Sequence, residues 1–200
     1  MATRQSPLRL AILASGEGTT LEAIASACAN RELTGEIVVV ISNNRDSGAL
    51  RRARESSLHY VHLSALTHTN PEELDGAMLE ALVHAKAELV VLAGFMKKVG
   101  PRVLAAFSGR ILNTHPALLP KYGGHGMYGR RVHEAVLAAL EPNSGVSVHL
   151  VTGEYDAGPV IAQVQVPVLA GDTVDTLAER VQTVERTFLI QTLQGIACRS

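Results

Sequence analysis

An amide and an imidazole stand close together at the end of an apolar run just past the middle of the chain. The segment ILNTHPALLPKYGG begins at Ile111, carries Asn113 and His115, and continues into a stretch with two prolines and paired glycines that cannot be helical. Strand alternation points both side chains to one face, and Pro116 restricts the backbone of His115. An amide N–H and a protonated imidazole together suit the oxyanion that develops when a carbonyl is attacked.

A carboxylate that could complete this pair follows in the segment SVHLVTGEYDAGPVIAQ, where Asp156 lies in a predicted loop between two strands. A carboxylate beside His115 favours the imidazolium, so we expect the histidine pKa to lie above its ordinary value of about 6.5. The local sequence fits an ordinary turn equally well, because Asp-Ala-Gly-Pro is good turn chemistry. His149 on the preceding strand is interpreted as a packing residue, with a supporting role near the site as the alternative.

A glycine-rich turn near the N-terminus could hold a phosphate. The segment LAILASGEGTTLEAI predicts a strand, a turn and a helix, whose free N–H groups and positive end attract an anion. NAD is disfavoured, because Leu21 replaces the third glycine of a dinucleotide fingerprint and Asn43 and Asn44 replace its acidic residue. Two interpretations stay open: a cradle for a monophosphate at residues 18–20, or a tight turn with Thr19 as helix N-cap.

Alternating strands and helices must position these groups. The predicted strands are Leu8–Ala14, Ile37–Ser42, Tyr60–Leu63, Leu89–Ala93 and Ile111–Asn113, followed by GVSVHLV and PVIAQVQVPV. The predicted helices are Thr19 to Asn30, Ala49 to Ser56, Pro71 to Ala85, Pro101 to Phe107, GRRVHEAVLAAL and Thr173 to Gln194.

This alternation of strands and helices predicts an α/β fold. We expect a single-domain, mostly parallel, doubly wound (Rossmann-like) sheet with helices on both faces and an antiparallel edge near the C-terminus. Such sheets bind ligands outside the carboxyl ends of their strands, which here are the loops after Ala14, Ala93 and Asn113.

Composition excludes several classes of protein. The 200 residues, 46% hydrophobic and 18% charged, predict one domain at residues 1–200 with a disordered N-terminus at residues 1–7. Without a long apolar run or a secretory leader, we expect a cytoplasmic protein that does not contact membranes. A net charge of -1 argues against nucleic acid, and 2 distant cysteines indicate neither a disulfide framework nor a zinc site.

Several segments, in a characteristic order and spacing, identify a family. The chain resembles the phosphoribosylglycinamide formyltransferases, which belong to the folate-dependent formyltransferases. The segments that carry the resemblance are SGEGTTL, VVLAGFM, ILNTHPALLPKYGG, SVHLVTGEYDAGPVIAQ and ERVQTVE. The resemblance implies that a formyl group passes from 10-formyltetrahydrofolate, a co-substrate, to the amine of glycinamide ribonucleotide (GAR) in de novo purine biosynthesis. It also implies small-molecule substrates only, no tightly bound cofactor, no metal and no nucleic acid, and a monomer or homodimer.

The resemblance further implies roles for individual residues. Asn113 matches the amide that stabilises the oxyanion, His115 the general acid, and Asp156 the carboxylate that raises the pKa of that histidine. The residues matched to the GAR phosphate and ribose are Gly18, Thr19, Thr20, Gln182 and Glu185. Those matched to the folate site are Met96, Lys97, Lys98, Val99, Asn113, Val151 and Thr152.

The chain departs from the family pattern at several positions. Thr20 replaces an asparagine of many members. Pro71 lies near the position at which some members have an arginine for the folate tail. The segment GGHGMYGRRVHEA is a variant loop, in which His125 has no assigned role. The alternatives are a methionyl-tRNA formyltransferase, a formyltetrahydrofolate hydrolase and a noncatalytic nucleotide-binding module. The first two are less expected, because they need a further C-terminal or N-terminal domain.

Overall fold

The computed structural model describes residues 6–199, which form two compact units. The first unit contains residues 6–112 and 193–199, and the second contains residues 113–192. Residues 1–5 of the predicted disordered N-terminus lie outside the described residues. Among the described residues no helix combines the length and the apolarity needed to cross a membrane.

Every predicted strand and helix is present, with small differences at the ends. The strands are β1 (Leu8–Ala14), β2 (Gly35–Ser42), β3 (Tyr60–His62), β4 (Leu89–Leu92), β5 (Ile111–His115), β6 (Asn143–Leu150) and β7 (Val160–Pro167). The helices are α1 (Thr19–Ala29), α2 (Gly48–Glu55), α3 (Pro71–His84), α4 (Pro101–Ala106), α5 (Arg130–Ala138) and α6 (Val174–Ala197). The sheet has 7 strands in the order β3-β2-β1-β4-β5-β6-β7, which confirms the predicted doubly wound α/β fold.

In the first unit, β1 is the central strand. It pairs in parallel with β2 on one side and with β4 on the other, and β2 pairs in parallel with β3. Apolar side chains cover both faces of β1, as expected for an internal parallel strand, and Leu10 to Ala14 are fully buried. The strand order therefore reverses between β1 and β4, which is where such sheets form a ligand crevice.

Hydrogen bonds join the loops at this reversal point of the first unit. The Ser15 N–H donates to the Gly94 carbonyl at 3.2 Å, and the Ser15 hydroxyl accepts from the Met96 N–H at 2.7 Å. The glycine-rich loop after β1 is thus tied to the segment after β4, and both lie at the carboxyl ends of neighbouring strands.

The second unit has an antiparallel pair of strands covered by helices. β6 and β7 pair antiparallel from Asn143↔Pro167 onward, as predicted for the edge near the C-terminus. One face of this pair is packed by α5 and α6. The fully buried cluster between these elements consists of Val136, Val146, Val166, Leu177 and Val181.

Gly18 is required by the packing of the glycine-rich turn. It is the N-cap of α1 with φ 77° and no side-chain cap, so the alternative in which Thr19 caps the helix is wrong. A Cβ on Gly18 would lie 2.6 Å from the Cα of Ala49 in α2, whose backbone cannot easily move away. The uncapped first turn of α1 leaves backbone N–H groups available, which keeps the phosphate-cradle interpretation open.

We therefore expect Gly18→Ala to lower the free energy of unfolding by about 1–3 kcal/mol, because it combines backbone strain with overpacking. Denaturant unfolding of the purified variant measures this loss. Gly16→Ala is the matched control, since no heavy atom lies within 4 Å of a Cβ built there. Equal stability of the two variants would contradict the inference that packing against α2 requires glycine at position 18.

Candidate active site

β5 brings Asn113 and His115 to one face, because both residues lie within the strand and alternate with Thr114. The strand extends to His115, two residues beyond its predicted end. The buried imidazole of His115 has its Nε2 atom 2.7 Å from the Tyr122 carbonyl oxygen. A carbonyl only accepts, so Nε2 carries a hydrogen and donates it. The other nitrogen, Nδ1, lies 3.5 Å from Asp156 Oδ2 and is the atom that gains or loses a proton.

Asp156 is held in place from several directions. The Gly124 N–H donates to its Oδ2 at 2.9 Å, and its Oδ1 lies 3.5 Å from Nε2 of His149. Its backbone is left-handed, with φ 53°, a conformation that aspartate tolerates better than most residues but that still stores some strain. The loop therefore positions the Asp156 carboxylate beside His115, rather than serving as a turn alone.

His149 is a polar member of this cluster, so its interpretation as a packing residue is wrong. Its Nδ1 donates to the Leu150 carbonyl at 3.0 Å, and its Nε2 therefore accepts from Asn113 Nδ2 at 3.1 Å when the ring is neutral. The ring links Asn113 to Asp156. The signal in the sequence is an imidazole among the apolar residues of β6, at the end of the strand that leads into the Asp156 loop.

Burial decides the direction of the pKa shift at His115, whereas neighbouring groups decide it at Asp156. Burial lowers the pKa of His115 below its ordinary value, and this outweighs the raising effects of the Asp156 charge and the Tyr122 hydrogen bond. The expected raised pKa of His115 is therefore wrong for this structure. For Asp156, burial would raise the carboxyl pKa, but the neighbouring His149 imidazole and the N–H of Gly124 outweigh this effect and hold that pKa below its usual range. At neutral pH the carboxylate is ionised and the imidazole is mostly neutral.

Glu185 is the other partly buried acid near β5 in the second unit. Thr114, on the opposite face of β5 from Asn113, donates its hydroxyl to Glu185 Oε1 at 2.9 Å. Burial raises the pKa of the Glu185 carboxyl, against smaller lowering effects of Thr114 and the Arg186 charge. Gln182 precedes it on α6 and is exposed.

The remaining predicted site residues fall into the two units. In the first unit, Gly18 is buried, while Thr19 begins α1 and is exposed beside the partly exposed Thr20. The segment after β4 exposes three side chains and buries that of Val99, whose main chain is then the part available to a ligand. Those exposed side chains are Met96, Lys97 and Lys98. In the second unit, Val151 and Thr152 lie in the loop that carries Asp156.

This arrangement can stabilise negative charge on a carbonyl oxygen and move a proton. A model of the family described as "Formyl transferase" matches residues 8–193, which is most of the chain. The chain belongs to the formyl transferase family. This confirms the resemblance carried by the sequence motifs. Within residues 6–199, no group of three or more His, Cys, Asp or Glu residues is placed to hold a metal ion.

Individual formyl transferases are similar to this chain over most of its length. The phosphoribosylglycinamide formyltransferase of Escherichia coli K12 is 39% identical over 178 residues, which are 89% of this chain and 82% of that protein. The crystal structure of glycinamide ribonucleotide transformylase 1 from Symbiobacterium toebii is 35% identical with a TM-score of 0.89, covering 97% of this chain and 89% of that one.

A protein described as a deformylase shares the fold. A formyltetrahydrofolate deformylase from Pseudomonas syringae pv. tomato has a TM-score of 0.85 at 24% identity, and the match covers 96% of this chain but 62% of that one. At this identity the likeness concerns the fold alone.

Proposed function

We propose that this enzyme transfers the formyl group of 10-formyltetrahydrofolate to the amine of GAR, giving formyl-GAR and tetrahydrofolate in de novo purine biosynthesis. The observation that carries the proposal is the cluster of Asn113, His115, His149 and Asp156, linked by contacts of 3.1 to 3.5 Å. Membership of the family, and the name of the relatives at 35–39% identity, support the same reaction.

Asn113 is the proposed oxyanion donor. When the GAR amine attacks the formyl carbon, a C–N bond forms and the carbonyl oxygen gains negative charge. The Asn113 amide has two hydrogens, of which one is held by His149 Nε2 at 3.1 Å. The second hydrogen is then directed by a fixed side chain toward the oxyanion, and a donor that is already oriented costs no reorganisation during the reaction.

His115 and Asp156 form the proposed proton-transfer pair. As the tetrahedral intermediate collapses, the bond from the formyl carbon to N10 of the folate breaks, the attacking amine loses a proton and N10 gains one. The Nδ1 atom of His115 faces the ionised carboxylate of Asp156 at 3.5 Å, so this pair can hold the proton between the two steps. The amine attacks directly, and no covalent enzyme intermediate is involved.

The substrate contacts are proposed from the matched family positions. The GAR phosphate and ribose are assigned to Gly18, Thr19, Thr20, Gln182 and Glu185, and the folate to Met96, Lys97, Lys98, Val99, Asn113, Val151 and Thr152. The available first-turn N–H groups of α1 support a phosphate there whether residue 20 is asparagine or threonine. Pro71 is the first residue of α3 and follows the N-cap Asn70, a position at which proline is favoured.

The proposal places both units in one formyltransferase domain, acting in the cytoplasm on small molecules as a monomer or homodimer. It requires no metal, no tightly bound cofactor and no nucleic acid.

His149→Phe is expected to lower kcat by about 10- to 100-fold, because Asn113 loses the acceptor that holds its amide in place. KM for both substrates should change much less, since the ring acts through Asn113 and not on the substrates. The measurement is steady-state kinetics at pH 7.5, together with circular dichroism to establish that the variant is folded. A folded variant with the kcat of the wild type would show that His149 does not position Asn113.

The reaction is tested by following tetrahydrofolate release from 10-formyltetrahydrofolate with and without GAR. A formyltransferase releases tetrahydrofolate only when GAR is present, at a rate that saturates with GAR. A deformylase would release it without GAR, and a noncatalytic nucleotide-binding module would not release it at all. Either of the last two results would overturn the proposed function.

A further inference from the structure

A cleft of about 530 Å³ opens at the carboxyl ends of β2 and β3 in the first unit, and no residue assigned above lines it. Asn43 and Asn44 follow β2 directly, His62 ends β3, and Arg45 and Thr67 add further polar groups to the lining. Its size falls within the range of roughly 300–1,000 Å³ typical of small-molecule sites. Its place is the edge at which doubly wound sheets bind ligands.

Hydrogen bonds fix the direction of both amide side chains at this cleft. The Met96 N–H donates to the Ser15 hydroxyl at 2.7 Å, so that hydroxyl is free to donate its own hydrogen to Asn43 Oδ1 at 2.5 Å. Asn44 Oδ1 accepts from the Asp46 N–H at 3.2 Å. The side-chain oxygen of each asparagine therefore already accepts a hydrogen bond. Both Nδ2 groups remain as donors, and among residues 6–199 neither has a hydrogen-bond partner.

The charged groups at the cleft add to this donor character. Arg45 is exposed, and no described carboxylate lies within ion-pair distance of its guanidinium. His62 contributes a partly buried imidazole. Asp46 is the only acid among the described lining residues, and it precedes α2, whose positive N-terminal end stabilises it. The two unpartnered amide groups and the Arg45 guanidinium thus supply hydrogen-bond donors to the cleft, against the one carboxylate of Asp46.

We propose that this cleft binds a small organic anion through a carboxylate or phosphate group. Arg45 pairs with the charge, and the amide groups of Asn43 and Asn44 donate to the oxygens. Such charge-assisted hydrogen bonds are the stronger kind, and a guanidinium suits both carboxylates and phosphates. The site is separate from residues 18–20, which do not line the cleft, and it does not depend on the proposed formyl transfer.

Hydrogen bonding connects this anion site to the substrate loops of the first unit. Asn43 is bonded to Ser15, which in turn binds the main chain of Met96. An anion held by the Asn43 amide is therefore in contact with a hydrogen-bond chain that joins the loop after β1 to the segment after β4.

The test is an NMR titration of the nitrogen-15-labelled full chain with sodium phosphate and, separately, with sodium malonate at constant ionic strength. Backbone amides of residues 43–46 and 62 are expected to shift and saturate with a dissociation constant of about 1 mM or tighter for at least one probe. The probe that binds more tightly identifies the preferred group. Shifts confined to residues 18–20, or no saturable shift at any residue, would overturn the proposal.

Two variants and a matched control locate the site. Asn44→Asp keeps the oxygen that accepts from Asp46 but replaces the amide donor with negative charge, and Arg45→Ala removes the cation. Each is expected to weaken binding of the probe at least tenfold. Arg54→Ala removes an exposed cation of α2 outside the cleft and should leave binding unchanged. Equal affinity in all these proteins, or equal weakening in all three variants, would contradict the assignment.

Discussion

Replacing His115 or Asn113 with alanine is expected to lower turnover by at least about 100-fold, a loss of roughly 3 kcal/mol or more of transition-state stabilisation. Both groups act on charge or protons that appear only during the reaction, so the binding of GAR and folate should change little. The side chains share one face of β5, and each has a fixed partner, His149 for the amide and Tyr122 for the imidazole. Steady-state kcat and KM at saturating co-substrate measure the effect.

Asn113→Asp tests the role of the Asn113 amide hydrogens more specifically than the alanine variant. It keeps the size of the side chain but removes both amide hydrogens and adds negative charge, so it should be at least as inactive as the alanine variant. His84→Ala is the control, because this histidine lies exposed in the last turn of α3 in the first unit. Turnover within a few-fold of the wild type for any folded variant at Asn113 or His115 would remove that residue from the mechanism.

Asp156→Asn is expected to lower turnover at pH 7 to 8 by about 100-fold or more, because the proton-transfer pair loses its charged partner. In the wild type, burial holds the pKa of His115 below its ordinary value, and the Asp156 charge opposes that shift. Without the charge the pKa should fall further, so the protonated fraction of His115 at neutral pH decreases. Partial recovery of turnover is then expected only as the pH falls below about 6.5.

Two measurements check this prediction, the pH dependence of kcat and an NMR titration of His115 in the wild type and the variant. Recovery should be incomplete, since the carboxylate also accepts from Gly124 and faces His149. Asp175→Asn is the control, because this exposed carboxylate of α6 pairs with Arg130 and should not affect His115. An unchanged pKa and an unchanged pH profile in Asp156→Asn would show that Asp156 is only a turn residue.

The fold could be predicted because it depends on local pattern. The apolar run from Leu10 to Ala14 in β1 and the β-branched run of β2 are typical of internal parallel strands. Alternation along β5 was sufficient to place Asn113 and His115 on one face. Gly18 stood out in the sequence as part of a glycine-rich turn, but its contact with Ala49 of α2 depends on how two separate helices pack.

The site was predicted less completely, because its details depend on contacts between distant segments. The Tyr122 carbonyl reaches His115 only because the loop after β5 folds back on the strand. The partners of His149 lie on β5 and in the Asp156 loop, so spacing along the chain does not reveal them. The direction of the His115 pKa shift differs from the prediction for a related reason. A neighbouring charge is visible in sequence motifs, whereas burial depends on how distant segments pack around the ring.

Following the formyl carbon itself tests the proposed transfer to GAR directly. The full chain is mixed with GAR and 10-formyltetrahydrofolate carrying carbon-13 in the formyl group, and the label is followed by carbon NMR. The label is expected in the formamide of formyl-GAR, in a one-to-one ratio with the tetrahydrofolate released, and this transfer should be lost in Asn113→Asp. Label that accumulates as free formate would contradict the proposed formyl transfer, and transfer that persists in folded Asn113→Asp would contradict the role of Asn113.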